Sequence, residues 1–141
     1  MDKLERIHHI GYVVADVERA AEGFARSLGA RILTPAIHDP LQKAYVLFLQ
    51  IPGDVAQWEL VGPAGTGSPV ATLAARGGGL HHVCYEVADL DGALAQARAA
   101  RSAVIRPAKP AVAFDGRRIA WVLTAEKLLV EYLEIVPAQS R

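Results

Sequence analysis

The chain has 141 residues, of which 52% are apolar and 21% are charged, a composition that suits one globular domain with a sizeable core. Fifteen basic residues balance fifteen acidic ones, so no basic excess points to nucleic acid or to a membrane surface. No apolar run reaches the ~20 residues of a membrane span, the charged N-terminus has no signal core, and a single cysteine excludes an internal disulfide. We therefore expect a cytoplasmic enzyme or binding domain within residues 1–141.

An internal repeat organises the chain, and its first copy covers about residues 6–63. The copy opens with an apolar, β-branched stretch around His9 that predicts a strand. Asp16 then stands where a helix N-cap belongs, and Gly29 where the helix stops. Apolar residues recur between them at helical spacing, at Val17, Ala20, Ala21, Phe24 and Leu28. Three strand-like runs follow, near residues 30–34, 44–50 and 56–61.

A segment rich in glycine, about residues 64–79, links the two copies. Residues 69–76 predict a short helix with Pro69 near its start. Gly77, Gly78 and Gly79 follow, and we interpret them as a joint. A phosphate cradle is disfavoured because no strand precedes these glycines and no GKS/T signature follows.

The second copy, about residues 80–137, repeats the pattern of the first. A strand around His82 is followed by Asp89 at an N-cap position. The apolar residues of the predicted helix are Leu90, Ala93, Leu94, Ala97 and Ala100, and strand-like runs follow near residues 104–106, 119–124 and 128–135. The sequence therefore predicts an α+β domain built from two tandem βαβββ modules.

Two histidines and two glutamates recur at matched offsets. His9 and His82 are 73 residues apart (82 − 9), and Glu59 and Glu131 are 72 apart (131 − 59). Taken singly, each histidine could be structural and each glutamate could face solvent. A carboxylate in the middle of an apolar strand is costly to bury unpaired, however, and a cation offsets that cost. The matched repeat favours one shared site in which these four side chains bind a divalent metal.

Other polar and aromatic residues are assigned simpler roles. Strand alternation puts His8 and His81 on the face opposite the predicted ligands, where we expect them to pack. His38 is unrepeated and is predicted to lie in a loop, and Cys84 is predicted to be a small buried core residue. Core or pocket-wall positions are predicted for the larger aromatics, Phe48, Trp58, Phe114 and Trp121.

Several short motifs together resemble the vicinal oxygen chelate superfamily, also called the glyoxalase/bleomycin resistance superfamily. The motifs are His8-His9-Ile10-Gly11, Trp58 to Pro63 followed by Ser68-Pro69, Gly78 to Val83, and Leu129-Val130-Glu131. Within the superfamily, the likeness is closest to methylmalonyl-CoA epimerase-like proteins. The resemblance implies a curved, half-open mixed sheet around a metal held by His9, Glu59, His82 and Glu131. It also implies two catalytic carboxylates, Glu131 as the acid/base and Glu59. The implied partner is a small-molecule substrate, for which an acyl-CoA is one candidate, and a homodimer is a further candidate assembly because family members are often dimers.

One departure from the epimerase pattern concerns a second base. Epimerases carry a further Glu just before the third strand of the first module, whereas residues 37–43 here contain none. Asp39 is the nearest carboxylate, and Pro40 favours a loop-capping role for it. In the second module Asp115-Gly116 predicts a turn. The adjacent Arg117 and Arg118 are candidate substrate-binding residues, with solvation at a strand start as the open alternative.

The reaction that this resemblance favours is metal-dependent removal and return of the proton α to a carbonyl, on a methylmalonyl-CoA-like thioester. A glyoxalase I-type isomerisation is the second enzyme hypothesis. A ring-cleaving dioxygenase or a thiol transferase is disfavoured, because a fourth ligand at Glu59 fills a position that a three-ligand site leaves open. A metal-free binding or resistance protein is the alternative of another class. The sequence leaves the metal open among Co, Ni, Mn, Zn and Fe.

Overall fold

A computed structural model describes residues 4–135, so the predicted end of the second module at Pro137 lies outside the described range. The described chain divides into two compact units. The N-terminal unit comprises residues 9–81, and the C-terminal unit comprises residues 4–8 and 82–135. The first strand, β1 (Leu4–Val13), is divided between them. Its first residues, assigned from the sequence to the first module, therefore belong to the C-terminal unit.

The N-terminal unit has a mixed sheet with one long helix. After β1 come α1 (Val17–Leu28), β2 (Arg31–Ile32), β3 (Ile37–Asp39), β4 (Ala44–Gln50), β5 (Gln57–Pro63) and α2 (Ala71–Ala75). The strands are ordered β2-β4-β5-β1, and β3 also pairs with β4. Strand β5 runs parallel to β1 and antiparallel to β4, so the last strand of the module lies beside the first.

The C-terminal unit repeats this arrangement. Its elements are β6 (Gly79–Val87, whose first three residues fall in the N-terminal unit), α3 (Leu90–Ala99), β7 (Ala103–Pro110), a short 3-10 helix (Val112–Phe114), β8 (Arg118–Leu123) and β9 (Leu129–Glu134). The order is β6-β9-β8-β7, with β9 parallel to β6 and antiparallel to β8. The predicted α+β class and the repeat of strand, helix and three strands are confirmed in this unit.

Helix α1 forms where the capping residues predict it. The Asp16 carboxylate accepts hydrogen bonds from the backbone N–H groups of Glu18 and Arg19, both at 3.1 Å, and Gly29 ends the helix at φ 66°. The helix packs against one face of the sheet, and the apolar cluster between them includes Val17, Ala21, Leu47, Leu49 and Leu60. Leu28, the last residue of α1 and of its apolar stripe, is 51% exposed.

Helix α3 covers one face of the C-terminal sheet in the same manner. The Asp89 carboxylate accepts a hydrogen bond of 2.9 Å from the backbone N–H of Gly92. The apolar cluster beneath the helix consists of Val87, Leu90, Ala93, Leu94, Ala97, Ala120, Val122 and Val130. Because strand residues alternate between faces, Glu131 and its neighbours at positions 129 and 133 point away from α3. Each unit therefore leaves one sheet face available for the repeated polar residues.

The loop prediction for His38 is wrong, because His38 lies on β3. Residues 37–39 pair antiparallel with residues 44–46, so the first module has one strand more than the repeat predicts. The ring of His38 lies 5.0 Å from that of Tyr45, its partner in the register. A three-residue strand next to a proline carries too little periodicity to be recognised from sequence.

The glycine-rich link is more closely packed than a simple joint. The predicted short helix is confirmed as α2, within residues 69–76. Gly78 has a φ of 82°, and a Cβ placed there would lie 2.3 Å from the carbonyl oxygen of Val13. The close backbone approach excludes any side chain at Gly78. No helix within residues 4–135 has the length and apolar content needed to cross a membrane.

Candidate active site

In the N-terminal unit, His9 and Glu59 form a buried pair. The imidazole Nε2 of His9 lies 3.3 Å from Oε1 of Glu59, and the two side chains are 0% and 7% exposed. They come from the parallel strands β1 and β5, where Gly11 is the register partner of Glu59. Gly11 shares the face of His9 and carries no side chain, so the carboxylate can lean toward the imidazole.

In the C-terminal unit, His82 and Glu131 form the corresponding pair. Nε2 of His82 also lies 3.3 Å from Oε1 of Glu131, and the side chains are 1% and 2% exposed. The strands are β6 and β9, again parallel, and Cys84 is the register partner of Glu131. Cys84 is fully buried, as predicted for a small core residue. In both units, the glutamate therefore pairs with the small residue two positions after the histidine.

An aromatic side chain completes each pair. Phe48 is the antiparallel partner of Glu59, and Trp121 is the antiparallel partner of Glu131. The Phe48 ring meets His9 edge-on with centroids 5.5 Å apart, and the Trp121 ring meets His82 edge-on at 4.7 Å. These contacts hold each imidazole in one orientation and cover it from water. Both aromatics are buried, as the prediction of a core or pocket-wall position requires.

The donor set of these pairs suits a divalent metal. His9, Glu59, His82 and Glu131 each offer one ligand atom, and all four are buried. A buried carboxylate needs a compensating positive charge, either an imidazolium or a cation. Imidazole nitrogen and carboxylate oxygen are ligands that first-row divalent ions accept. The residues present therefore fit a metal of this class.

A second buried carboxylate of the C-terminal unit, Glu86, lies on the same strand face as His82 and accepts hydrogen bonds from two arginines. Arg6 donates through Nε, and Arg117 donates from Nη2 at 2.9 Å. Burial raises the pKa of Glu86, but the hydrogen bonds from Arg6 and Arg117 outweigh it and hold that pKa below its ordinary value. Arg117 also donates from Nε to the backbone carbonyl of Glu134 at 2.8 Å. The guanidinium of Arg117 is thus fixed within the C-terminal unit.

Arg118 lies on the opposite sheet face, toward α3. It donates to both carboxylate oxygens of Glu134, at 2.9 and 2.6 Å, and its Nη2 lies 3.8 Å from Oδ2 of Asp91 on α3. The hydrogen bond from Arg118 lowers the pKa of Glu134, and Glu134 in turn raises the pKa of Arg118. The two arginines predicted as substrate contacts therefore already have carboxylate partners.

Asp39 has the loop-capping role that the sequence favours. Its Oδ1 accepts hydrogen bonds from the backbone N–H groups of Leu41 and Gln42, at 3.1 and 3.2 Å. Its Oδ2 accepts one from the side-chain amide of Gln42 at 2.9 Å. The carboxylate closes the turn between β3 and β4, and its role is explained by that turn. The predicted turn at Asp115-Gly116 is also present, with φ of 54° and 83°.

Two features of the site were missed by sequence reasoning. The edge-on contacts of Phe48 with His9 and of Trp121 with His82 were not predicted. The offset of 73 between the two aromatics (121 − 48) matches that of the histidines and could have indicated them. The Arg6–Glu86–Arg117 cluster was also missed, because it joins three distant parts of the chain without a repeated counterpart. His8 packs edge-on against Phe114 with centroids 5.5 Å apart, in agreement with its predicted packing role.

Comparisons with known proteins identify the family and the fold of the chain. Residues 8–121 match the family described as the glyoxalase/bleomycin resistance protein/dioxygenase superfamily. Over 116 residues the chain is 32% identical to the ethylmalonyl-CoA/methylmalonyl-CoA epimerase of Cereibacter sphaeroides, covering 81% of this chain and 84% of that protein. The crystal structure of methylmalonyl-CoA epimerase from Mycobacterium tuberculosis has a TM-score of 0.82 at 27% identity, covering 97% of this chain and 92% of that one. A methylmalonyl-CoA epimerase solved with methylmalonyl-CoA and NH4+ has a TM-score of 0.79 at 25% identity, covering 93% and 94%.

Proposed function

The chain belongs to the glyoxalase/bleomycin resistance protein/dioxygenase superfamily, and we propose that it is a divalent-metal-dependent epimerase acting on a methylmalonyl-CoA-like carboxyacyl thioester. The observation that carries the proposal is the repeated pair, a buried histidine 3.3 Å from a buried glutamate in each unit. The relationship to the epimerase of Cereibacter sphaeroides supports the choice of substrate class.

We propose that His9, Glu59, His82 and Glu131 would hold one divalent ion together. Each unit supplies one imidazole and one carboxylate, so two units supply four ligands of a kind that such ions accept. When bound, the ion would act as a Lewis acid that stabilises negative charge on the thioester carbonyl oxygen as the α proton leaves. The edge-on aromatic contacts of the two histidines would keep the ligand nitrogens oriented.

Glu131 is the proposed base that accepts the α proton and returns it. It lies on β9 and its side chain is only 2% exposed, so its carboxylate is shielded from bulk water. A carboxylate within hydrogen-bond reach of the reacting carbon can accept the α proton and return it. Glu59, the counterpart in the N-terminal unit, is the proposed second catalytic carboxylate. Asp39 is not assigned a catalytic role, since its oxygens serve the turn.

Contact of the substrate with Arg117 or Arg118 stays a prediction. An anionic substrate group would have to displace Glu86 from Arg117, or Glu134 from Arg118, before either guanidinium could bind it. In such an exchange the arginine loses a charge-assisted hydrogen bond to its glutamate and forms one of the same kind to the substrate.

Exchange of the α proton tests the proposed reaction. Methylmalonyl-CoA is supplied to the Co(II)-loaded protein in deuterated water, and loss of the α-proton NMR signal is followed together with the ratio of the epimers. We expect exchange with interconversion, reduced at least 100-fold in Glu131→Gln, which keeps the shape of the side chain and removes the base. Glu22→Gln, which changes an exposed carboxylate on α1, is the matched control and should exchange at the wild-type rate.

Two outcomes would contradict the proposal. Exchange at the wild-type rate in Glu131→Gln would remove Glu131 as the base. No exchange in the metal-loaded wild type would contradict the epimerase function, and activity on a hemithioacetal would then favour the glyoxalase I-type alternative.

A further inference from the structure

The exposed cations of strand β7 differ from the arginines around Glu86 and Glu134. Arg106 and Lys109 are both exposed on β7, the edge strand of the C-terminal sheet. Within residues 4–135, neither cation forms an ion pair with a carboxylate. Arg117 and Arg118, by contrast, are both held by carboxylates. The positive charges of Arg106 and Lys109 are therefore available to an external anion.

The strand register puts these two cations on the face that carries Glu131. Arg106 is the partner of Trp121, which is itself the partner of Glu131. Lys109 is the partner of Ile119, which pairs with Leu133. Directly opposed residues of antiparallel strands share a sheet face, so Arg106, Lys109 and Glu131 lie on the same side.

Two register shifts in β7 keep Arg106 and Lys109 on the face that carries Glu131. They fall between Val104 and Arg106 and between Arg106 and Lys109. Val104 and Ala108 pack against the apolar cluster beneath α3, on the other face. The bulges therefore allow β7 to bury its small apolar residues under the helix while it presents both cations on the face of the candidate site.

The spacing fits a ligand with anionic groups remote from its reacting carbon. Strand β7 lies two strands from β9, which corresponds to about 10 Å across the sheet. Lys109 lies three residues beyond Arg106, which adds about 10 Å along the strand. An acyl-CoA has this form, because a flexible pantetheine arm separates its thioester from its phosphates. A carboxylate next to the thioester is too close to the reacting carbon to reach β7.

We propose that Arg106 and Lys109 bind the phosphate groups of the coenzyme A moiety of the substrate. This inference rests on the proposed function for its substrate class. An arginine fork and a lysine ammonium are both suited to phosphate oxygens, and two such contacts would position the thioester without touching the reacting atoms.

The test compares two substrates that differ in their phosphates. Steady-state rates are measured with methylmalonyl-CoA and with the methylmalonyl thioester of pantetheine, which keeps the carboxylate and the thioester and lacks every phosphate. For the Arg106→Ala/Lys109→Ala double variant, we expect KM for the coenzyme A ester to rise at least tenfold with kcat unchanged. KM for the pantetheine ester should stay within twofold of wild type. The control is Arg26→Ala/Arg98→Ala, which removes two exposed cations from the helices and should change neither KM.

An unchanged KM for the coenzyme A ester would overturn the inference. An equal rise in KM with both esters would also overturn it, because the contact would then involve the carboxylate or the fold. Calorimetric titration with adenosine 3′,5′-bisphosphate separates this inference from the epimerase proposal, since it needs no turnover. A Kd at least tenfold weaker in the double variant than in wild type would support the phosphate site even in an inactive protein, and equal affinity or no binding to wild type would overturn it.

Discussion

Replacement of Glu86 by glutamine should destabilise the protein in a manner that depends on pH. The carboxylate of Glu86 is buried and accepts hydrogen bonds from Arg6 and Arg117. The side chain of Arg6 is 75% exposed, so its contribution is screened by water and we count none for it. Arg117 is 24% exposed, and a charge-assisted hydrogen bond in such a place contributes about 1.5 kcal/mol. Glu86→Gln should therefore lower the free energy of unfolding by about 1.5 kcal/mol at pH 7, roughly tenfold in the folding equilibrium.

The direction of the pH dependence follows from the lowered pKa of Glu86. A carboxyl whose folded-state pKa is depressed contributes stability above its ordinary value of 4.5, and that contribution is lost as the pH falls through the folded-state pKa. Urea unfolding of wild type and Glu86→Gln at pH 7 and below pH 4 measures the difference, with Glu22→Gln, an exposed carboxylate on α1, as the control. A difference that is the same at both pH values, or smaller than that of the control, would refute the ion-pair reasoning.

Three further substitutions test the fold and the site. Gly78→Ala should lower the free energy of unfolding by about 3 kcal/mol or more, because its Cβ would lie 2.3 Å from the carbonyl oxygen of Val13. Gly65→Ala is the control, since Gly65 has a similar φ and nothing within 4 Å of the added Cβ, and it should cost about 1 kcal/mol. Equal shifts of the melting temperature in the two variants would contradict the packing argument. Asp39→Asn keeps the Oδ1 that closes the turn, so the proposed epimerase activity should stay within about twofold of wild type. A 100-fold loss in a variant of unchanged stability would instead indicate that Asp39 is a base. Asp16→Ala should cost about 1 kcal/mol in chemical unfolding through loss of the α1 cap, and an unchanged midpoint would contradict the capping role.

The repeat made most of the fold predictable from the sequence. Helix caps at Asp16 and Asp89 and the stop at Gly29 act locally, so their positions follow from residue type. His9, Glu59, His82 and Glu131 could be selected from the sequence because two copies of one pattern supply the same side chains, whereas the pairing of each histidine with one glutamate is seen only in the structure. A single copy would have given no reason to prefer a buried ligand to a surface residue.

Features that depend on tertiary contacts were not predictable. Strand β3 exists because β4 offers a pairing edge, and the sequence of residues 37–39 alone has no strand period. Arg117 and Arg118 are adjacent in the sequence but lie on opposite faces of the sheet. Their partners, Glu86 and Glu134, are 31 and 16 residues away along the chain. Pairings of this kind depend on register, which a single sequence does not reveal.

We propose that both units contribute ligands to one divalent ion, and titration of the metal-free protein with Co(II) tests this proposal most directly. Calorimetry should give one ion per chain for wild type. His9→Ala and His82→Ala should each weaken the affinity at least 100-fold, because each removes one imidazole from a shared set of four ligands. His38→Ala, a histidine on β3 that faces Tyr45, should leave the affinity unchanged. Two ions per chain, or wild-type affinity in either His9→Ala or His82→Ala, would contradict the shared site.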